Sequence, residues 1–141
     1  MGFSVIAAAA MLGLTLFMAV EIITNDLLPT IDELNKSYGD MKDRYQSQLQ
    51  SDINITSVTR SLNGSNYDYN ITVKNTGSVT LVTKNFQILI NGTIYPFTYS
   101  AEKLYPEESV FFFIMNITGA GTQRMKVTTN NGIAEYYTTA G

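Results

Sequence analysis

Residues 67 to 75, "YDYNITVKN", decide the fold class of most of the chain. Tyr67, Tyr69, Ile71 and Val73 share one parity; Asp68, Asn70, Thr72 and Lys74 share the other. Successive side chains of an extended strand point to opposite faces, so this alternation builds a strand with one apolar and one wetted face. Further strands are predicted at 52–59, 79–82, 86–90, 93–99, 109–117, 123–129 and 133–138. Turn residues separate them: Asn63-Gly64, Thr76-Gly77, Asn91-Gly92 and Asn131-Gly132, with Pro106, Glu107 and Glu108 punctuating the longest gap. Asn-Gly favours the positive φ values that type I′ hairpin turns require. Seven or eight short strands, with no helical period among them, predict an all-β sandwich over residues 51–141.

One strand departs from the pattern. "SVFFFIMNI" (109 to 117) is apolar at both parities. Phe111, Phe113 and Met115 fall on one side, and Val110, Phe112 and Ile114 on the other. Either the strand is central and covered twice, or Phe111, Phe113 and Met115 form a partner-binding face, since a soluble monomer rarely leaves such a patch open.

Ahead of the sandwich the chain reads as helix. Phe3 to Val20 are eighteen uncharged, mainly apolar residues. As a helix they span roughly 27 Å, close to the ~30 Å hydrocarbon core of a bilayer. A signal-peptide core is shorter and ends in small residues before a cleavage site. Here Glu21 follows, then more helix-compatible sequence, so residues 1–23 are expected to be a retained transmembrane helix, with a cleaved signal as the alternative. No cation precedes the span and the first basic residue is Lys36. The short leading segment favours a single-pass, N-in topology, with the β-domain outside. Ala7 to Ala10, Gly13 and Ala19 would let a neighbouring helix approach closely, although alanine is also an ordinary helix former.

Residues 24–50 are expected to form a helical stalk. Leu27, Ile31, Leu34, Tyr38, Met41 and Tyr45 step by four and three along a heptad seam. Such a seam pairs with a partner helix or folds back onto the domain behind it. Pro29 is expected to kink or restart the helix near Thr24 to Leu28, and Gly39 weakens it.

Composition removes several function classes. A net charge of −3 offers little to neutralise a run of phosphates, so nucleic acid is not an expected partner. The 141 residues include no cysteine and no histidine, which excludes disulfides, thiolate metal sites and Ser-His triads. Asp52 with Asp68, and Glu107 with Glu108, are the candidate carboxylate pairs, and nothing around them suggests a pocket. The chain is not expected to be an enzyme, to bind a cofactor or to hold a metal.

"MGFSVIAA", "DINIT", "NITVKNTGSVTL", "ILINGT", "LYPEESV" and "MKVTTNNGIAEYY" together resemble the archaellum stator protein F family (FlaF or ArlF type) over nearly the whole chain. "VKNTGSVTL" is the most telling of these motifs. The family carries Pro-Gly where this chain has Pro106-Glu107. The resemblance implies a single-pass protein with an immunoglobulin-like head outside the membrane. It implies a head that binds the surface-layer protein and holds the archaellum motor against rotation. The implied partners are that lattice and the G-type stator protein, in a homodimer or a hetero-complex.

Asn35, Asn54, Asn63, Asn70, Asn91 and Asn116 each begin N-x-S/T without proline, which makes them candidate glycosylation sites of an external domain. Asn and Thr also alternate on wet strand faces for purely structural reasons. The rival reading is a type IV pilin-like or archaellin filament subunit, which also sets an apolar helix before a β-domain. Such precursors normally carry a basic leader, and "MG" has none. A G-type stator paralogue is a variant of the first reading.

Overall fold

The computed structural model describes residues 2–140. They form two compact units, one ending at Asp43 and the other beginning at Arg44.

The first unit is helical. Helix α1 runs Gly2–Ile22, a π-helical turn covers Ile23–Leu27, and helix α2 runs Leu28–Leu49, its last turns belonging to the second unit. Every described residue of α1 is exposed. The helix is long and apolar enough to cross a bilayer. The interruption expected from Pro29 takes the form of the π turn. Proline has no N–H, and its ring presses on the carbonyl four residues back, here that of Asn25. The helix widens to absorb this: the Leu28 N–H bonds to the Ile23 carbonyl, five residues back, and winding continues. Hydroxyls cap neighbouring carbonyls, Thr30 Oγ1 donating to Asp26 O at 2.6 Å and Thr24 Oγ1 to Val20 O at 3.0 Å.

The second unit is a β-sandwich. Its strands are β1 (Ile53–Asn63), β2 (Asn66–Asn75), β3 (Leu81–Val82), β4 (Gln87–Ile90), β5 (Thr93–Ile94), β6 (Thr98–Tyr99), β7 (Lys103–Leu104), β8 (Ser109–Ile117), β9 (Arg124–Thr128) and β10 (Ala134–Thr138). One four-stranded sheet has the order β1-β2-β8-β6 and the other β10-β9-β4-β5, while β3 and β7 make a small separate ladder. Every pairing is antiparallel. Lettered in chain order without the small ladder, the sheets read A-B-E-D and G-F-C-C′, the immunoglobulin-like arrangement. Tyr69, Ile71 and Val73 of β2 and Val110, Phe112 and Ile114 of β8 face Ile88 and Ile90 of β4 and Met125 and Val127 of β9 in the shared core. Phe112 anchors it, its ring 5.4 Å from that of Phe86 and edge-on to Phe97 at 5.2 Å.

The expected strand 93–99 is two short strands, because Pro96 cannot donate to a ladder. The type I′ expectation for Asn-Gly holds at Asn91-Gly92, where φ is 51° and 84°. At Asn63-Gly64 only Gly64 has positive φ, and Asn63 still pairs with Asn66. The two-residue loop is therefore Gly64-Ser65, with glycine first, as type II′ requires. Pro106-Glu107 keeps the turn without glycine. Glu107 adopts φ 66°, the Glu108 N–H reaches Tyr105 O at 3.1 Å, and Lys74 Nζ lies 2.7 Å from Glu107 Oε2.

Candidate functional site

The two readings of 109–117 separate in the structure. β8 is central in its sheet, paired with β2 on one side and β6 on the other. Val110, Phe112 and Ile114 are fully buried. Phe111, Phe113 and Met115 point out of the sandwich, 43%, 46% and 62% exposed. Centrality within a sheet covers the edges of a strand and not its outer face.

A β-bulge ends the stripe. Tyr69 pairs with Ile114 but Tyr67 with Ile117, so three steps on β8 match two on β2. The surplus residue is accommodated at Asn116, whose φ is 65°. Its N–H bonds to Asp68 Oδ1 at 2.8 Å, and its Oδ1 accepts from Asn66 Nδ2 at 2.5 Å. Without the bulge Ile117 would share the parity of Phe111 and Met115; with it, Ile117 is 1% exposed and joins the core.

Cross-strand neighbours frame the stripe with polar groups. Thr72 lies opposite Phe111, and Asn70 and Thr98 flank Phe113 from either side. Pro96, Phe97, Thr98, Phe113 and Met115 line a shallow hollow of about 160 Å³. With ~150–250 Å² per large aromatic side chain, the three residues leave on the order of 300 Å² open, the size of the largest, often functional, patch on a typical monomer. An apolar centre inside a Thr/Asn rim is the anatomy of a protein-binding surface.

The motif "NTG" at 75–77 has a second, structural task that the sequence did not disclose. Asn75 is fully buried, and its Nδ2 donates to Val79 O at 2.8 Å and Leu104 O at 3.0 Å. The N–H groups of Thr76 and Gly77 both reach Asp52 O at 3.1 Å, and that of Ser78 reaches Gln50 O at 2.8 Å. A Cβ on Gly77 would lie 2.5 Å from both Asp52 N and Gln50 O. Asn131 Nδ2 adds a bond to Ser51 Oγ at 2.7 Å. The link from helix to sandwich, Gln50 to Asp52, is thus clamped by two loops.

The stalk-seam residues Leu27, Ile31, Leu34, Tyr38, Met41 and Tyr45 are all exposed. Leu27 lies in the π turn and the other five on α2. Among the sequons, Asn35 and Asn54 are exposed and make no side-chain hydrogen bond among the described residues. Asn63 Nδ2 is held by Asp68 Oδ2 at 3.0 Å, and Asn91 bonds Gln123 Oε1 while accepting from the Arg124 N–H. Asn70 is half-buried beside Phe113, and its buried Oδ1 has no hydrogen-bond partner among the described residues. The carboxylates Asp52 and Asp68 are not brought together: they sit at opposite ends of the β1–β2 ladder, bonded to Thr76 and to Asn63 and Asn116.

No protein-family model matches the chain, and no curated protein does. Solved structures do. The archaellum periplasmic stator protein FlaG from Sulfolobus acidocaldarius is 19% identical, with a TM-score of 0.54 over 63% of this chain and 99% of that one. The archaellum periplasmic stator protein complex FlaF and FlaG from the same organism is likewise 19% identical, with a TM-score of 0.53 over 62% of this chain and 87% of that one. At this identity the likeness is one of fold, and the β-sandwich of this chain is the fold it shares with those stator proteins.

Proposed function

We propose that the chain is a membrane-anchored stator subunit of the archaellum, whose β-sandwich grips a neighbour through Phe111, Phe113 and Met115. The observation that carries this reading is an exposed apolar stripe on the outer face of a sandwich that shares its fold with stator proteins. In the proposal α1 spans the cytoplasmic membrane N-in, and the sandwich stands outside. A stator resists torque, so it needs an attachment at each end and a firm link between them. The helix offers one attachment and the stripe the other, and the clamp on Gln50 to Asp52 suits the link. The motifs favour the F type. The FlaG likeness supports the G type as a second reading.

Energetics bear on the choice of partner. At about 25 cal/mol per Å², covering ~300 Å² on this chain yields several kcal/mol at most. Association costs ~4–15 kcal/mol, so the stripe alone is insufficient for a tight complex from solution. It suffices when the partner is already concentrated, as a second membrane-anchored stator protein or a surface-layer lattice would be.

The test uses the tagged full-length chain, extracted from native membranes in detergent, beside a Phe113→Thr/Met115→Thr variant. Wild type should co-purify a surface-layer protein or a second small anchored β-protein, and the variant should lose it. Recovery of the chain alone as long fibres would replace this reading with that of a filament subunit. Release by carbonate without detergent would end the anchoring role.

A further inference from the structure

We propose that the outer face of the second sheet is a separate binding site, for an acidic segment of a partner protein with an apolar side chain beside its carboxylates. The site goes beyond the apolar stripe, which lies on the other sheet, and does not depend on it. Arg124 and Lys126 project from β9 two residues apart. Tyr136 of β10 and Leu89 of β4 both pair with Lys126, and Ile94 of β5 pairs with Leu89. One row across the sheet therefore runs Tyr136, Lys126, Leu89, Ile94. The guanidinium of Arg124 lies 5.2 Å from the Tyr136 ring centre and the ammonium of Lys126 lies 5.6 Å from it. Leu89, Asn91, Gly92, Arg124, Lys126 and Tyr136 border an open hollow of about 430 Å³.

Charge decides what fits. The chain carries a net −3, yet this face gathers two cations that have no carboxylate partner among the described residues. The only ion pair among the described residues, Lys74–Glu107, is elsewhere. Two cations held over one ring repel each other, and a carboxylate between them would relieve that repulsion. Leu89, Ile94 and the aliphatic stems of the cations supply an apolar floor for a neighbouring side chain. A neutral or uronic saccharide would need further hydrogen-bonding groups. The only side-chain amide on the rim, Asn91, is spent inside the domain, on Gln123 and the Arg124 N–H. Two cations are also too few for stable adsorption to an anionic bilayer, where clusters of four to eight are the rule.

The experiment uses the full-length chain in neutral detergent micelles and a fluorescent octapeptide alternating Glu and Leu, read by anisotropy. Binding should weaken at least tenfold in an Arg124→Gln/Lys126→Gln variant. It should also weaken on exchange of Glu for Gln in the peptide, and at about 0.5 M salt, where screening shortens to a few Å. Phe113→Thr should leave it unchanged. An Arg124→Glu/Lys126→Glu variant should instead take a Lys/Leu octapeptide, which separates lost recognition from lost folding. Failure of the wild-type chain to bind the acidic peptide would overturn the proposal. So would equal binding by the Gln variant, or preferential binding of polygalacturonate or phosphatidylglycerol vesicles.

Discussion

Replacing Gly77 with alanine should damage the protein well beyond what one methyl group suggests. Gly77 does not have a positive φ, so alanine can adopt its backbone angles. The obstacle is space: the new Cβ would stand 2.5 Å from Asp52 N and from Gln50 O, both backbone atoms that cannot rotate away. The loop at 76–78 must retreat, stretching the bonds from Gly77 N–H to Asp52 O and from Ser78 N–H to Gln50 O. Overpacking costs ~1–3 kcal/mol, and weakening the two hydrogen bonds without breaking them adds about 1 kcal/mol in all. A loss of about 2–4 kcal/mol follows, or a fall in Tm of about 10–20 °C for a domain of roughly 100 residues. The assay is thermal melting of the full chain in micelles, followed by near-ultraviolet dichroism of its tyrosines. That signal reports the sandwich, where seven of the nine tyrosines lie. Gly92→Ala is the control, because its Cβ would meet nothing within 4 Å and the cost is only that of φ 84°, about 1 kcal/mol. If Gly77→Ala melts no lower than Gly92→Ala, the close approach does not govern the junction and the reasoning fails.

Tyr69→Phe should hold or raise stability by about 1 kcal/mol, because it removes a fully buried hydroxyl that has no hydrogen-bond partner among the described residues; a loss above 1 kcal/mol in urea melts would reveal a partner for that group. Glu107→Gly should raise stability by about 0.5 kcal/mol, since relief of the positive φ outweighs an ion pair exposed to solvent; a clear drop in the urea midpoint would mean that Lys74 fixes the turn. Phe113→Thr should change the melting temperature by less than about 3 °C, roughly the scale of ±0.5 kcal/mol for surface substitutions, while weakening capture of the native partner. Gly39→Ala should strengthen α2 by up to about 1 kcal/mol, seen as slower amide exchange around residue 39, because nothing crowds its Cβ.

The strand pattern was legible wherever burial alternates. "YDYNITVKN" falls entirely within β2, with Tyr69, Ile71 and Val73 inward as their spacing required. β3 and β7, two residues each, are too short to leave a period, and β7 was not anticipated. The exposure of Phe111, Phe113 and Met115 was one of two readings, because composition along a strand does not state what covers its outer face. The bulge at Asn116 was hidden for a related reason: Ile117 looks like a continuation of the exposed parity until the pairing with Tyr67 is known. Gly77 was visible as a turn residue, but its contact with Asp52 spans 25 positions and follows from the fold alone. The cluster of Arg124, Lys126 and Tyr136 likewise depends on the β9–β10 register.

An α-helix advances about 100° per residue, and a π turn takes up one surplus residue without handing that rotation on. Beyond Ile23–Leu27, the compass bearing of Ile31, Leu34 and Tyr38 against Ala10 and Gly13 is therefore that of a helix one residue shorter than the count suggests. A helical wheel drawn straight through the segment would misplace these two edges by about 100° relative to each other. Any neighbour that follows both edges must be fitted across that missing step.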